Sequence, residues 1–403
     1  MLRRAEPSPL ALDAGPRAPS QSVAKAPGAQ PDALFDFWYR AARSDGLRRG
    51  KLARAQVLGT RLVVGRDRTG RAFAMLDACP HRGMPLSYGW FDGQTVQCAY
   101  HGWCFDAQSG QCKSIPSLSA KQTVDVTKIG AGHLPCEERD GYVWVFLPSP
   151  EASGALRRTA RPSGPAPALP VYSEKYRSFC LSSVVPIAAE HALASMLDPA
   201  HGAFVHAKVW WLARLVLGIH PDEGEGAELR DISRDFVPMA LGFREVATQP
   251  ITSPWFRRHA QSDVVEISSD CVLPYYRVGE VRMNRCWITV FATTTPLTAK
   301  SCRIDTVVAW HLFYFWPFGT AIFKFLFWIF LLQDRVTMTR QALGVDMVER
   351  PIFLDDVDKP LRWYHQVRHA YLASRRSGMP FEHPMRETVK VTWRSPHAGD
   401  IVR

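Results

Sequence analysis

The chain has 403 residues, of which 46% are apolar and 22% charged, enough to bury a sizeable core in two domains with tails. Nine cysteines at irregular spacing argue against a secreted disulfide scaffold and fit a reducing cytoplasm. The net charge of +11 is dispersed rather than gathered into a stripe, which argues against nucleic acid and leaves a basic surface for an acidic protein or anionic lipid.

Residues 1–32 are rich in Ala, Pro, Gly and Ser and lack the apolar run of a signal peptide, so they read as a disordered tail. Structure begins at Phe35-Asp36-Phe37-Trp38-Tyr39. Short β-rich runs follow at Ala55–Leu58, Arg61–Gly65, Ala72–Leu76, Thr95–Cys98 and Gly141–Phe146, with a hairpin turn at Asp67-Arg68-Thr69-Gly70. Residues 33–147 are therefore expected to form a small antiparallel β unit. The Pro-, Ala-, Ser- and Arg-rich stretch 148–170 reads as a linker.

A second domain, 171–385, opens with a strand at Ser178–Val185, punctuated by Pro186, and a helix from Ile187. Strands are expected at Val264–Ile267, Tyr276–Val278, Cys286–Ala292 and Arg303–Trp310. Helices are expected at Thr320–Leu343 and Lys359–Ser374, leaving 386–403 as a tail. The fold class is α+β, with a central antiparallel sheet and flanking helices.

Within the first unit, Cys79-Pro80-His81-Arg82-Gly83 and Cys98-Ala99-Tyr100-His101-Gly102-Trp103 each pair one thiol with one imidazole. Two Cys and two His are the ligand set of a [2Fe–2S] centre in which two His replace two Cys on one iron. Zinc also accepts Cys2His2, but its knuckles usually pair like ligands. Mixed knuckles suit a cluster, since each loop can give sulfur to one iron and nitrogen to the other. Cys104, Cys112 and Cys136 lack the Cys-x-His pattern and read as small buried hydrophobes.

A second constellation is Asp198-Pro199-Ala200-His201-Gly202-Ala203-Phe204-Val205-His206. His201 and His206 lie about 140° apart on an ideal helix, so one metal can take both only where the helix ends or bulges. Gly202 is placed to permit this. Taken alone, two His near an Asp are more often a structural coincidence than a metal site. The run 312–332 is apolar and aromatic, interrupted by Pro317, Gly319 and Lys324. Its length would suit a membrane span, but it reads rather as the wall of a hydrophobic pocket, with an interfacial membrane contact as the alternative.

C-P-H-R-G followed by C-x-Y-H-G-W resembles the Rieske domain of the Rieske non-haem iron oxygenases. Met84 and Tyr100 stand where Rieske subunits of electron-transport complexes carry a disulfide, and Trp103 where they place a Ser hydroxyl. Fewer hydrogen bonds to sulfur imply a lower potential. The resemblance runs from about Phe35 to Tyr371 and implies that His201 and His206 ligate Fe(II). It places the carboxylate ligand at Asp334, in a segment similar to the family's late Q/E-D motif, with Asp346, Asp355 and Asp356 in reserve. It gives Asp198 another role: accepting a hydrogen bond from His201 while bridging to His101 of a neighbouring subunit, which implies a homotrimer. Ser195 replaces an Asn that supports the iron site in many members.

The resemblance thus implies an oxygenase with O2 as co-substrate, acting on a bulky apolar molecule such as a sterol or tetrapyrrole by monooxygenation, demethylation or ring opening. No G-x-G-x-x-G and no plant-type C-x4-C-x2-C appears, so a separate reductase or ferredoxin is expected as electron donor. The alternative is a Rieske-type electron carrier or regulator, which leaves His201, His206 and the second domain unused. The expected location is cytoplasmic, with the membrane-surface contact left open.

Overall fold

Alternating apolar and polar runs broken by Gly and Asp turns pair antiparallel throughout the chain. The computed structural model describes residues 32–149, 162–207, 230–251, 254–311 and 318–395. The first unit holds β1 (Phe37–Arg43), β2 (Leu52–Val57), β3 (Thr60–Arg66), β4 (Ala72–Leu76), β5 (Trp90–Phe91), β6 (Thr95–Gln97), β7 (Cys104–Asp106), β8 (Cys112–Ser114), β9 (His133–Leu134), β10 (Cys136–Arg139) and β11 (Tyr142–Leu147). They form three small sheets, ordered β1-β11-β10, β2-β3-β4-β9 and β5-β6-β7-β8. The turn expected at Asp67–Gly70 is present. Gly70 takes φ +94° while the Asp67 carboxylate accepts from the Thr69 hydroxyl and the Arg71 amide.

The second unit is one eight-stranded antiparallel sheet of β12 (Arg177–Val185), β13 (Arg230–Met239), β14 (Gly242–Pro250), β15 (Val264–Val272), β16 (Tyr276–Arg282), β17 (Trp287–Thr298), β18 (Ser301–Trp310) and β19 (Val389–Ser395). Its order is β12-β18-β17-β16-β15-β14-β13-β19. The helices are α1 (Ala189–Leu197), α2 (His201–Val205), α3 (Pro254–Ala260), α4 (Gly319–Gln341) and α5 (Lys359–Ser377). The α+β architecture and both long helices match the expectation from sequence.

Two boundaries do not. Residues 386–403 were expected to be a tail, but β19 pairs with β13 over Val389–Ser395 and closes the sheet edge. Its alternation buries Val391 and Trp393 and turns Lys390 and Arg394 outward, which is how a half-buried strand satisfies both faces. Residues 148–170 were expected to be a linker, yet the described part from 162 is pinned to the first unit. Gly164 accepts from the Trp38 indole, Ala166 exchanges hydrogen bonds with Arg139 and Glu137, and the Leu169 amide donates to Asp140. Residues 1–31, 150–161 and 396–403 of the expected tails and linker lie outside the described residues.

The two units share one core. Leu34, Val64 and Val145 join Val185, Leu193, Cys302 and Trp363 in a single buried cluster, and Trp38 and Trp144 join Trp287 and Phe291 in another. The β2–β3 turn at Leu58 and Gly59 donates backbone N–H groups to Pro296 (2.7 Å) and Leu297 (3.0 Å) on β17. Arg40 on β1 is fully buried, its guanidinium 4.4–4.9 Å from the rings of Tyr142, Trp144 and Phe291, and it donates to the Asp305 carbonyl. A desolvated cation held by three aromatic faces and a carbonyl fixes the first unit against β17 and β18.

Helix α4 divides its apolar residues between two sides. Phe323 and Phe327 pack on Phe179 of β12 and Trp310 of β18, while Phe325 and Trp328 are 57% and 50% exposed. The apolar run therefore has an inner side packed on the sheet and an outer side that is exposed. No helix among the described residues is long and apolar enough to cross a membrane. The upstream part of the expected apolar wall, 312–317, lies outside the described residues.

Candidate metal centres

The β4–β5 and β6–β7 connections are built alike. Cys79 N–H donates to Met84 C=O and Cys98 N–H to Trp103 C=O, both at 2.8 Å. Gly83 N–H returns to Cys79 C=O and Gly102 N–H to Cys98 C=O, and both glycines take a left-handed conformation, φ +72° and +71°. Each loop therefore folds its cysteine inward at one end and throws its histidine outward.

Both cysteines are buried, whereas His81 is exposed and His101 half-buried. The His81 and His101 rings stand 4.6 Å apart, and Trp103 stacks on His81 at 4.7 Å and 4°. Burial pushes the Cys79 thiol up to about 12, and the neighbouring Cys98 adds to this. Desolvation, then the His101 ring, lowers His81, which favours the neutral, ligating imidazole. The buried Cys79 thiol is costly to ionise alone and becomes a stable thiolate beside a metal, so the donor set fits a cluster. Trp103 offers a flat ring against one imidazole.

The second centre brings together residues distant in sequence. His201, His206 and Asp334 present ligand atoms all within 4.8 Å of one another. His201 Nε2 lies 3.8 Å and His206 Nε2 3.0 Å from Asp334 Oδ1. His206 is 1% exposed, and its Nε2 has no aligned hydrogen-bond partner among the described residues, despite the nearby carboxylate. A buried nitrogen lone pair without a donor, facing a carboxylate and a second imidazole, fits a divalent metal.

The helix break that allows this is not at Gly202. That residue is helical and its carbonyl accepts from His206 N–H, while α2 ends at Val205 and His206 itself leaves helical geometry at φ −104°, ψ 12°. Asp198 also departs from expectation. Its carboxylate accepts from the Ala200 amide at 2.8 Å, and it is the Asp198 main-chain carbonyl that meets His201 Nδ1, at 2.6 Å. The turn at Pro199 brings carbonyl rather than carboxylate to the ring. Ser195 donates back to the His191 carbonyl within α1. Among the reserve carboxylates, Asp346 pairs with Lys300, Asp355 with Arg362, and Asp356 caps the Val357 amide.

Sequence reasoning missed two residues at this centre. Gln333 Oε1 lies 3.0 Å from His206 Nδ1, and the Phe330 ring stacks on His206 at 3.6 Å and 17°. The signal was present in their spacing: Phe330, Gln333 and Asp334 stand at i, i+3 and i+4 on α4, one face of one helix turn.

A mixed Cys/His cradle on a small antiparallel unit, the donor set of a Rieske-type cluster, is followed by a wide sheet whose helices gather two imidazoles and a carboxylate. The family model for the Rieske [2Fe-2S] domain matches residues 37–129, and that stretch is such a domain. The chain is 30% identical over 208 residues to a chloroplastic chlorophyllide a oxygenase of Chlamydomonas reinhardtii, covering 49% of this chain and 29% of the relative. It is 31% identical over 115 residues to the 4beta-methylsterol monooxygenase of Methylococcus capsulatus, covering 28% of this chain and 31% of the relative. The chain thus spans about a third of the length of the curated relatives it matches.

Among solved structures, dicamba monooxygenase bound to 3,6-dichlorosalicylic acid superposes with a TM-score of 0.64 at 20% identity, covering 85% of this chain and all of that one. NdmA of Pseudomonas putida CBB5 with theobromine gives 0.61 at 20% identity, covering 85% and 92%. The described chain has the fold of the Rieske oxygenases.

Proposed function

We propose that this chain is the oxygenase component of a Rieske system. Cys79, His81, Cys98 and His101 would hold the [2Fe–2S] cluster, and His201, His206 and Asp334 would hold Fe(II). The observation that carries the reading is the convergence of two imidazole Nε2 atoms on one carboxylate oxygen, which an electron carrier has no use for. When bound, the cluster supplies single electrons and the Fe(II) supplies oxygen activation beside substrate. The chain's part is to hold and aim. The Asp198 carbonyl and Gln333 amide oxygen take the Nδ1–H of each imidazole, directing both Nε2 atoms inward. Phe330, stacked on His206 and backed by Phe327, excludes water from that side.

The substrate in this reading is a bulky apolar small molecule, a sterol or tetrapyrrole, oxidised by monooxygenation, demethylation or ring opening. Its support is the aromatic surround and the matched relatives named for chlorophyllide a and 4beta-methylsterol. Electrons come from a separate ferredoxin or reductase. The protein acts as a homotrimer in which the Asp198 main-chain carbonyl holds His201 while its carboxylate reaches a neighbour's His101. Head-to-tail contact of this kind closes most simply as a ring of three. The exposed Ile322, Phe325 and Trp328 on α4, beside Lys324, support contact with a membrane surface. Iron content tests the central claim: about three Fe per chain for the oxygenase and about two for a carrier. Sedimentation with anionic vesicles tests the membrane contact.

A further inference from the structure

We infer that Gln333 is the positioning residue that fixes which nitrogen of His206 faces the metal, an inference resting on the iron-site reading above. A neutral imidazole carries one N–H and one lone pair, and its neighbours decide where each sits. Gln333 Oε1, a pure acceptor, lies 3.0 Å from Nδ1, so the proton belongs on Nδ1 and the lone pair on Nε2. Nε2 is the atom 3.0 Å from Asp334 Oδ1. The ring is 1% exposed, so water cannot take over the acceptor's place. Phe330 lies flat on the same ring at 3.6 Å and resists its rotation.

Three residues of one turn of α4 therefore address one imidazole. Phe330 meets its face, Gln333 its proton, and Asp334 the side from which the metal is shared. The other ligand is held differently. His201 Nδ1 meets the main-chain carbonyl of Asp198 at 2.6 Å, an acceptor that no side-chain change removes. The aim of His206 alone depends on a replaceable side chain. Placing ligand and positioning residue in adjacent positions of α4 also makes carboxylate and imidazole move as a unit.

The test is Co(II) binding to the full-length, cluster-loaded protein after the mononuclear site has been stripped with chelator, read by Co(II) absorption. Gln333→Met keeps length and volume but removes the acceptor, and should weaken Co(II) binding about 10- to 100-fold with an altered Co(II) spectrum. Gln333→Glu keeps an acceptor oxygen and should restore wild-type spectrum and near wild-type binding. Wild-type affinity in Gln333→Met, or equal losses in both variants, overturns the inference. Wild-type protein whose Co(II) binding is insensitive to Asp334→Ala overturns the iron-site reading and this inference with it. The cluster's visible spectrum reports folding of each variant. Should Gln333→Met not fold, Co(II)-loaded wild type still decides. The exchangeable, metal-shifted N–H of His206 is expected to show a cross-relaxation to its β-CH2, as Nδ1–H must, and an N–H beside a ring Cδ2–H instead places the metal on Nδ1 and overturns the assignment.

Discussion

Gly83 and Gly102 hold the same left-handed backbone, φ +72° and +71°, each donating to the carbonyl of the buried cysteine that begins its loop. The two halves of the cluster cradle are one motif used twice. The sequence difference between C-x-H and C-x-x-H shifts only where the imidazole leaves the loop.

An L-residue at either glycine pays for left-handed geometry, about 1–2 kcal/mol. At Gly83 a Cβ would meet nothing within 4 Å, so Gly83→Ala should cost that strain alone and Gly83→Asn less. At Gly102 the Cβ would also stand 3.1 Å from Pro116 Cγ, so Gly102→Ala should cost more. Denaturant midpoints and cluster absorbance per chain check the ranking. Equal, negligible losses at both positions would show that the loops do not need this geometry.

The cradle was legible in sequence because thiols and imidazoles carry their chemistry wherever the chain places them, and four of them fell within residues 79–101. The group of His201, His206 and Asp334 was half legible. His201 and His206 are neighbours, but their convergence needs His206 to leave the helix, which no residue type there announces. Asp334 arrives from a different helix, so resemblance rather than spacing pointed to it. The strands Arg230–Met239 and Gly242–Pro250 were missed since their outward charges and Pro238 imitate loop composition. Val389–Ser395 alternates cleanly, but its pairing partner lies in one of those missed strands.

Arg66 on β3 and Glu138 on β10 form a two-point ion pair, 2.6 and 2.7 Å, tying two sheets of the first unit together. The Arg66 guanidinium holds the Glu138 carboxyl below its ordinary range. A lowered acid pKa adds stability above the unfolded value, about 4.3, and that stability is lost as pH falls through the native value. Wild type should therefore exceed Glu138→Gln in thermal midpoint at pH 7, with the gap closing below about pH 4. A gap independent of pH would assign the effect to packing rather than charge.

Replacing His81 or His101 with Ala should abolish the Rieske visible spectrum, because each removes a nitrogen donor from the cluster's ligand set. His101→Ala also removes the ring packed against Tyr100 at 3.9 Å, and so should disturb the local loop more than His81→Ala. Visible and near-ultraviolet circular dichroism of the purified variants separates the two effects. An unchanged visible spectrum in either variant contradicts the cluster assignment.

Asp334→Ala should lower iron from about three to about two per chain while leaving cluster absorbance intact, because an imidazole pair without its carboxylate is a poor divalent site. The same change at Asp346 or Asp355 should leave iron unaltered, since those carboxylates pair with Lys300 and Arg362 at the surface. Iron loss from Asp346→Ala or Asp355→Ala without loss from Asp334→Ala would move the ligand elsewhere.

Asp198 separates two jobs that a single substitution would blur. Its main-chain carbonyl holds His201 whatever the side chain, and its carboxylate takes the Ala200 amide at 2.8 Å. Asn keeps an oxygen for that amide, whereas Ala does not, so Asp198→Ala should destabilise by roughly 0.5–1.5 kcal/mol and Asp198→Asn by less. Both variants should retain iron and cluster, because neither touches a donor atom. If the carboxylate's charge also links subunits toward a neighbour's His101, Asp198→Asn should be stable, trimeric and fully loaded, reduce its cluster at the normal rate, and turn over substrate far more slowly. Single-turnover kinetics with a pre-reduced cluster separates that outcome from a simple turn-capping role, for which Asp198→Asn would turn over at the wild-type rate.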